Sequence, residues 1–316
     1  MARADVIVVG SGFAGAAVTR RLTEAGRRVL MIERGRVVSE PPGTHVRNRA
    51  TFRDDPDGYF AAIDAYFDID APDPRFPGAF TTSVFGGMSI VWTNNCPRAV
   101  ARVDRPDLLS EQEWERYYQV AEGYLGVRVD EFDDSHRAAS VMARLRGLLA
   151  DQGRALVRLP LSGSRVDAEH IRYVGPADVL GTATRDVDAV WGTVDAVEIE
   201  GTRAAGVRVD GTTYRADVVV VAAGAVETPA VLWRSELRPR ALGRHLSFHP
   251  VLISQIVLDD ELCTTDPSPD PLPRLSVRGQ SSLLGHSLRH EDLARLALAW
   301  SCDASMRGRI QIRSTP

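Results

Sequence analysis

The run Asp5-Val-Ile-Val-Val-Gly10-Ser-Gly12-Phe-Ala-Gly15, then an amphipathic stretch, then Val29-Leu-Met-Ile-Glu33-Arg34-Gly35, constrains the fold of this chain more than any other feature. An apolar run meets a glycine turn, a helical pattern follows, and a second apolar run ends in an acid. That order predicts strand, turn, helix and strand, and each part has a physical job in holding a dinucleotide. Gly10 permits the tight turn, Gly12 lets backbone approach a pyrophosphate, and Gly15 lets the helix pack closely on the sheet. The helix N-terminus turns its free N–H groups and positive dipole end toward phosphate. Glu33, with Arg34 beside it, stands where an acid accepts hydrogen bonds from ribose hydroxyls.

Composition narrows the remaining classes. A chain of 316 residues, 44% hydrophobic, with a formal charge of −4 is globular and long enough for one large domain or two smaller ones. Its 38 basic residues are offset by 42 acidic ones and form no basic block, which argues against a nucleic-acid partner. Cys96, Cys263 and Cys302 are odd in number and far apart with no CxxC pair, so neither a disulfide framework nor a metal site is expected. No stretch approaches about eighteen apolar residues, so no membrane partner is expected. The first strand begins by Asp5, leaving no room for a secretory segment, and a cytoplasmic location is expected.

Beyond Gly35 a long excursion, about 36–105, is punctuated by Pro and Gly clusters. Helices are predicted at about 110–124, behind a Ser110 cap with early acids, and at about 135–152. Ala189–Trp191, Val194–Ile199 and Ala205–Val209 read as short antiparallel strands joined at Gly201 and Gly211. Ala216–Ala225 reads as a fully buried parallel strand entering a small-residue turn, followed by a helix at about 228–234. The Ala223-Gly224 turn would pass close to a cofactor because larger side chains would collide with it. The irregular stretch after Glu33 favours a flavin fold, since a nicotinamide dehydrogenase would continue its strand–helix alternation.

A second glycine block, Thr82-Ser-Val-Phe85-Gly86-Gly87-Met88-Ser89-Ile-Val91-Trp92-Thr93-Asn94-Asn95-Cys96-Pro97-Arg98, carries the chemistry. Gly86 and Gly87 expose backbone amides, Ser89 adds a hydroxyl donor, Trp92 offers a flat wall, and Thr93, Asn94 and Asn95 offer polar groups for the rim of an isoalloxazine. The alternative is a glycine turn leading into a buried tryptophan strand. At these residues the chain resembles the glucose-methanol-choline oxidoreductase superfamily, and within it the pyranose oxidase-like and sugar or glycoside oxidase branch. The first glycine motif, Pro42-Gly43-Thr44-His45-Val-Arg-Asn48, the Gly86 to Arg98 block, Arg105-Pro106-Asp107-Leu108, Glu113-Trp114 and Ala222-Ala-Gly224-Ala225 fall in the family's order, from Asp5 to about Pro250.

The resemblance implies an α/β fold: an FAD-binding, Rossmann-like three-layer domain over 1–250 and part of an antiparallel-sheet substrate domain over 251–316. It implies FAD held by Gly10, Gly12, Gly15, Glu33, Arg34, Gly86, Gly87, Ser89, Trp92, Asn94, Val194, Ala223 and Gly224, with Thr93 near flavin N5. Where covalent pyranose oxidases carry a flavin-linked histidine, this chain has Val91, which has no nucleophile, so non-covalent FAD is expected. The implied reaction moves hydride from a sugar or glycoside carbinol to flavin N5, with oxygen or a quinone as electron acceptor. The family's catalytic pair, a histidine base and a histidine or asparagine partner, belongs to a C-terminal segment with an Asn-Pro turn that does not occur here. His45, His136, His170, His245 and His249 are not matched to that role. A second polypeptide or C-terminal fragment is therefore expected to complete the fold over the apolar runs 251–258 and 293–300, with specificity set near the 266–273 loop. The competing readings are a catalytically degenerate FAD-binding or assembly subunit and an NAD-dependent dehydrogenase.

Overall fold

In the computed structural model, β1 (Ala4–Val9) and β2 (Val29–Glu33) run parallel, with Val6, Ile7, Val8 and Val9 opposite Val29, Leu30, Met31 and Ile32. The structure describes residues 4–55, 67–68, 81–99, most of 105–246, and 275–279. His136, His245, His249 and the runs 251–258, 266–273 and 293–300 lie outside the described residues. Both strands are unbroken apolar runs because both sheet faces are covered. Val6, Val8 and Val29 pack with Val18 and Leu22 of the helix α1 (Phe13–Glu24), while Ile7, Val9, Leu30 and Ile32 join Val194, Val197, Val207 and Val231 on the other face.

Further along come α2 (Ala50–Asp54), the paired β3 (Phe67–Asp68) and β4 (Thr81–Thr82), α3 (Glu111–Leu125), β5 (Val127–Arg128), β6 (Arg154–Arg158), β7 (Leu161–Arg165) and β8 (Ile171–Tyr173). Then follow α4 (Pro176–Leu180), β9 (Asp188–Trp191), β10 (Val194–Glu200), β11 (Arg203–Val209), β12 (Thr212–Val221), α5 (Gly224–Arg234) and β13 (Leu275–Gly279). Six strands form one sheet in the order β10-β11-β12-β1-β2-β9. Its Rossmann-like half is parallel, β12 to β1 to β2 to β9, and its other half is an antiparallel meander.

Two strand expectations are corrected. β9 is parallel to β2, with Glu33 opposite Trp191, not the first strand of an antiparallel set. Four residues carry no directional signal, and the direction comes from the partner. β12 is not fully buried: Thr212–Arg215 pair antiparallel with β11, Ala216–Val221 pair parallel with β1, and Val218 is 50% exposed. The turns stand where expected. Asp210 and Gly211 both take positive φ (46° and 78°), as a two-residue hairpin requires, and Gly201 does likewise (62°). α5 starts four residues before the expected Thr228, because Gly224 and Ala225 supply its first turn and Pro229 lies inside it.

The chain divides into two compact units, one from Met1–Asn94, Val120–Gly126 and Arg172–Ser247, the other from Asn95–Gln119, Val127–Ile171 and Phe248–Pro316. In the second, β6 pairs antiparallel with β13 and β5 with β7. The described positions between 139 and 150 are helical, in line with the predicted second helix. Ser110 caps α3 reciprocally: its hydroxyl accepts from Glu113 N (3.3 Å), and the Glu113 carboxylate accepts from Ser110 N (2.8 Å). Those bonds, the hydroxyl's own donation first among them, hold the Glu113 carboxyl below the ordinary carboxylate range. Any stability they add is present above that range and is lost as pH falls through the lowered value. NMR titration should find Glu113 shifted upward in Ser110→Ala. No helix among the described residues is long and apolar enough to cross a membrane.

Candidate functional site

At the carboxyl ends of β1, β2 and β12 the first unit encloses a cavity of about 590 Å³, within the range of cofactor pockets. Its wall comprises the turn from Val9 to Ala14, Ile32–Arg34, Thr81, Thr82, Gly87–Ser89, Gly192–Val194 and the start of α5. Of the residues expected from sequence, Gly10, Gly12, Glu33, Arg34, Gly87, Ser89, Val194, Ala223 and Gly224 line it.

The glycine turn closes for steric reasons. Gly10 has φ 100°, and a Cβ there would stand 2.5 Å from Ala222 O, because Ala222 N donates to Val9 O (2.8 Å) and brings the end of β12 against the turn. Gly15 does not line the cavity. A Cβ on it would stand 1.9 Å from Gly10 O, so its absence lets α1 seat on the turn.

Glu33 is fixed before any ligand arrives. Its Oε2 accepts from Ser11 N (3.0 Å) and Ser11 Oγ (2.5 Å), and its Oε1 accepts from Gly35 N (2.7 Å). A carboxylate offers about four acceptor positions, so one remains for a ligand hydroxyl. Arg34 reaches Glu227 of α5 at 3.5 Å on the same cavity.

The second glycine block is bonded to the first. Gly86 N donates to Ser11 Oγ (2.7 Å), and Phe13 N donates to Ser89 Oγ (3.1 Å). Ser89 thereby supplies α1 with the side-chain cap that Gly12, at the N-cap position, cannot provide. Gly86 takes φ 92° and serves this junction without lining the cavity.

Trp92 and Asn94 are bonded into the scaffold through one carbonyl. The Trp92 indole donates to Val174 O (3.0 Å) and meets Phe13 edge-on (4.8 Å), while the buried Asn94, at φ 58°, donates through Nδ2 to the same carbonyl (3.2 Å). Neither lines the cavity, nor does the exposed Thr93. Val91 packs against Val46, Val84 and Ile90. His45 is fully buried and stacked on Tyr173 (5.1 Å). Its Nδ1 accepts from Arg47 N (3.2 Å), which leaves Nε2 protonated and donating to Trp92 O (3.0 Å). With both nitrogens engaged, it has no lone pair for a substrate proton. His170 sits at the surface against Asp167 (2.7 Å).

Sequence reasoning overlooked Ser11, Thr82, Glu227 and Arg234 on the cavity wall. Only Ser11 carried a signal, as the polar residue between two motif glycines. The Thr82 hydroxyl is buried and meets no hydrogen-bond partner among the described residues. An unsatisfied buried hydroxyl costs about 1–3 kcal/mol, which a polar ligand in the cavity would offset. Thr82→Val should leave the apoprotein as stable or more stable while weakening the ligand complex several-fold, as paired thermal melts would show. That orphan hydroxyl, the remaining lone pair of Glu33 and the glycine cradle all fit a dinucleotide. Among the described residues no group of three His, Cys, Asp or Glu side chains could hold a metal.

Comparison with known proteins agrees with this geometry. Residues 187–251 match the GMC oxidoreductase family and residues 8–54 an NAD(P)-binding Rossmann-like domain. The C-glycoside 3-oxidase of Microbacterium trichothecenolyticum is 32% identical over 87% of this chain and 62% of its own length. That of Arthrobacter globiformis is 31% identical over 78% and 55%, and the pyranose 2-oxidase of Tricholoma matsutake 28% identical over 83% and 56%. The chain thus spans little more than half the length of these relatives. Among solved structures, pyridoxine 4-oxidase from Mesorbium loti shares the fold, with TM-score 0.51 and 21% identity over 74% of this chain and 52% of that one. The family implies a flavin or nucleotide cofactor, for which the cavity supplies the glycine turn, the acid and the helix N-terminus. By sequence, fold and site together, this chain belongs to the GMC oxidoreductase family.

Proposed function

We propose that this chain is the FAD-binding part of an oxidoreductase that oxidises a secondary alcohol of a sugar or glycoside. The reading rests above all on one cavity that unites the β1 glycine turn, Glu33 and the Ser89 block, in a chain whose relatives are named C-glycoside 3-oxidase and pyranose 2-oxidase. When bound, FAD supplies a hydride acceptor for alcohol oxidation. The amides at the α1 N-terminus, near Gly10 and Gly12, hold the diphosphate, and Glu33 with Arg34 takes the ribose. The Val194 backbone addresses the adenine and Ala223 and Gly224 allow the second close approach, while Thr93, off the cavity wall, is assigned to the flavin N5 side by the family resemblance alone. Val91 makes attachment non-covalent. Oxygen or a quinone takes up the electrons.

The histidine base and its partner come from a further polypeptide stretch, on this gene product or on a second chain. Two facts support this: the relatives are much longer than the matched part, and Val218 stays half-exposed on a sheet strand. The test is to purify the protein with whatever co-purifies, weigh every chain by intact mass spectrometry, and add a C-glycoside or pyranose anaerobically. Bleaching of the visible flavin band is expected from preparations that carry the completing stretch. A colourless preparation that instead reduces NAD with the same substrates would refute the reading.

A further inference from the structure

We propose that Ser11 is a positioning residue whose hydroxyl locks the acid Glu33 and the second glycine loop into one unit. Ser11 is fully buried, and its Oγ makes two bonds whose directions chemistry fixes. The Gly86 amide can only donate, at 2.7 Å, and the Glu33 carboxylate can only accept, at 2.5 Å. The hydroxyl proton therefore lies toward Glu33, and its lone pair receives Gly86 N–H. A bond to a carboxylate is stronger than a neutral one, and bonds in series polarise each other.

The relay spans three segments distant in sequence, since Gly86 is 75 residues from Ser11 and Ser11 is 22 from Glu33. Neither end can move aside cheaply. Glu33 is held twice more, through Ser11 N and Gly35 N, and Gly86 sits at φ 92° with Ile90 close enough that a Cβ would stand 2.5 Å from Cγ2. Loss of the Ser11 hydroxyl would strand the buried Gly86 amide and leave Glu33 Oε2 with the Ser11 N bond alone. The contact from Phe13 N to Ser89 Oγ ties the same two loops by a route that omits Glu33, and so provides an internal control. Ser11 thus sets the loop while the site is empty and holds the ribose acid for the ligand. The second of these roles rests on the dinucleotide reading above, and the first does not.

Hydrogen exchange followed by mass spectrometry on the full-length apoprotein tests the lock without any ligand. Glu33→Ala should speed exchange at Gly86 to Ile90 about tenfold, although Glu33 has no hydrogen bond there, and Ser11→Ala should do the same. The double variant should exchange no faster than the faster single, whereas Ser89→Ala and Glu33→Ala should multiply. Multiplying effects of Ser11→Ala and Glu33→Ala, or unchanged exchange at Gly86 in Glu33→Ala, would overturn the proposal. If Ser11→Ala fails to fold by circular dichroism, the Glu33→Ala measurement still decides. FAD titration then reads the ligand side: Ser11→Ala and Glu33→Ala should each weaken binding about tenfold, and together no more than either alone. A wild-type chain that binds no FAD refutes the dinucleotide reading and leaves the exchange result standing.

Discussion

Gly15→Ala should yield a protein that no longer retains FAD and melts well below the parent. The added Cβ would stand 1.9 Å from Gly10 O, a backbone atom that cannot rotate away. Two effects oppose each other. Alanine in a helix interior gains about 1 kcal/mol over glycine. Forcing α1 off the turn costs roughly 3 kcal/mol, in the upper range for overpacking, so the clash wins. It also pulls the α1 N-terminus and the Gly10 turn apart, which removes the diphosphate cradle itself. Gly26→Ala is the informative control: Gly26 has positive φ (73°), yet nothing lies within 4 Å of its added Cβ. That variant should lose about 1 kcal/mol to backbone strain and keep its flavin. Thermal melts and flavin-to-protein ratios on the pair make the comparison.

The second large effect falls away from the cavity. His45→Ala should destabilise the protein by about 4 kcal/mol, the range for removing a large buried side chain that also leaves polar groups unpaired. The ring is fully buried and stacked on Tyr173, and its loss strands Arg47 N and Trp92 O together. Denaturant melts would show the loss at every pH where the protein folds. If His45 were instead the proton acceptor of the reaction, its variant would keep the parent's stability and lose only turnover.

The first thirty-five residues were legible because three signals agree there: a strand-length apolar run, glycines at turn spacing, and an acid at the end of the second strand. The hairpin turns at Gly201 and Gly211 were legible for a similar reason, since positive φ selects glycine at these positions. The direction of β9 was not, because a four-residue strand takes its sense from Leu30–Glu33 beside it. Trp92 read as a wall because its size suits a flat ligand, but the Val174 carbonyl that claims its N–H lies 82 residues away and leaves no local trace. The orphan hydroxyl of Thr82 and the junction of Ser11 with Gly86 depend equally on apposition across distant segments. Residues that shape the backbone announced themselves, and residues that join one loop to another did not.

FAD, held without a covalent bond, is the proposed occupant of the cavity at the ends of β1, β2 and β12. Its most direct test is titration of the full-length apoprotein with FAD, with NAD and ADP as competitors, followed by acid precipitation. One equivalent of FAD bound, displaced by ADP and released into the acid supernatant, is the expected result. Tight binding of NAD with no binding of FAD, or flavin that stays with the acid-precipitated protein, would contradict it.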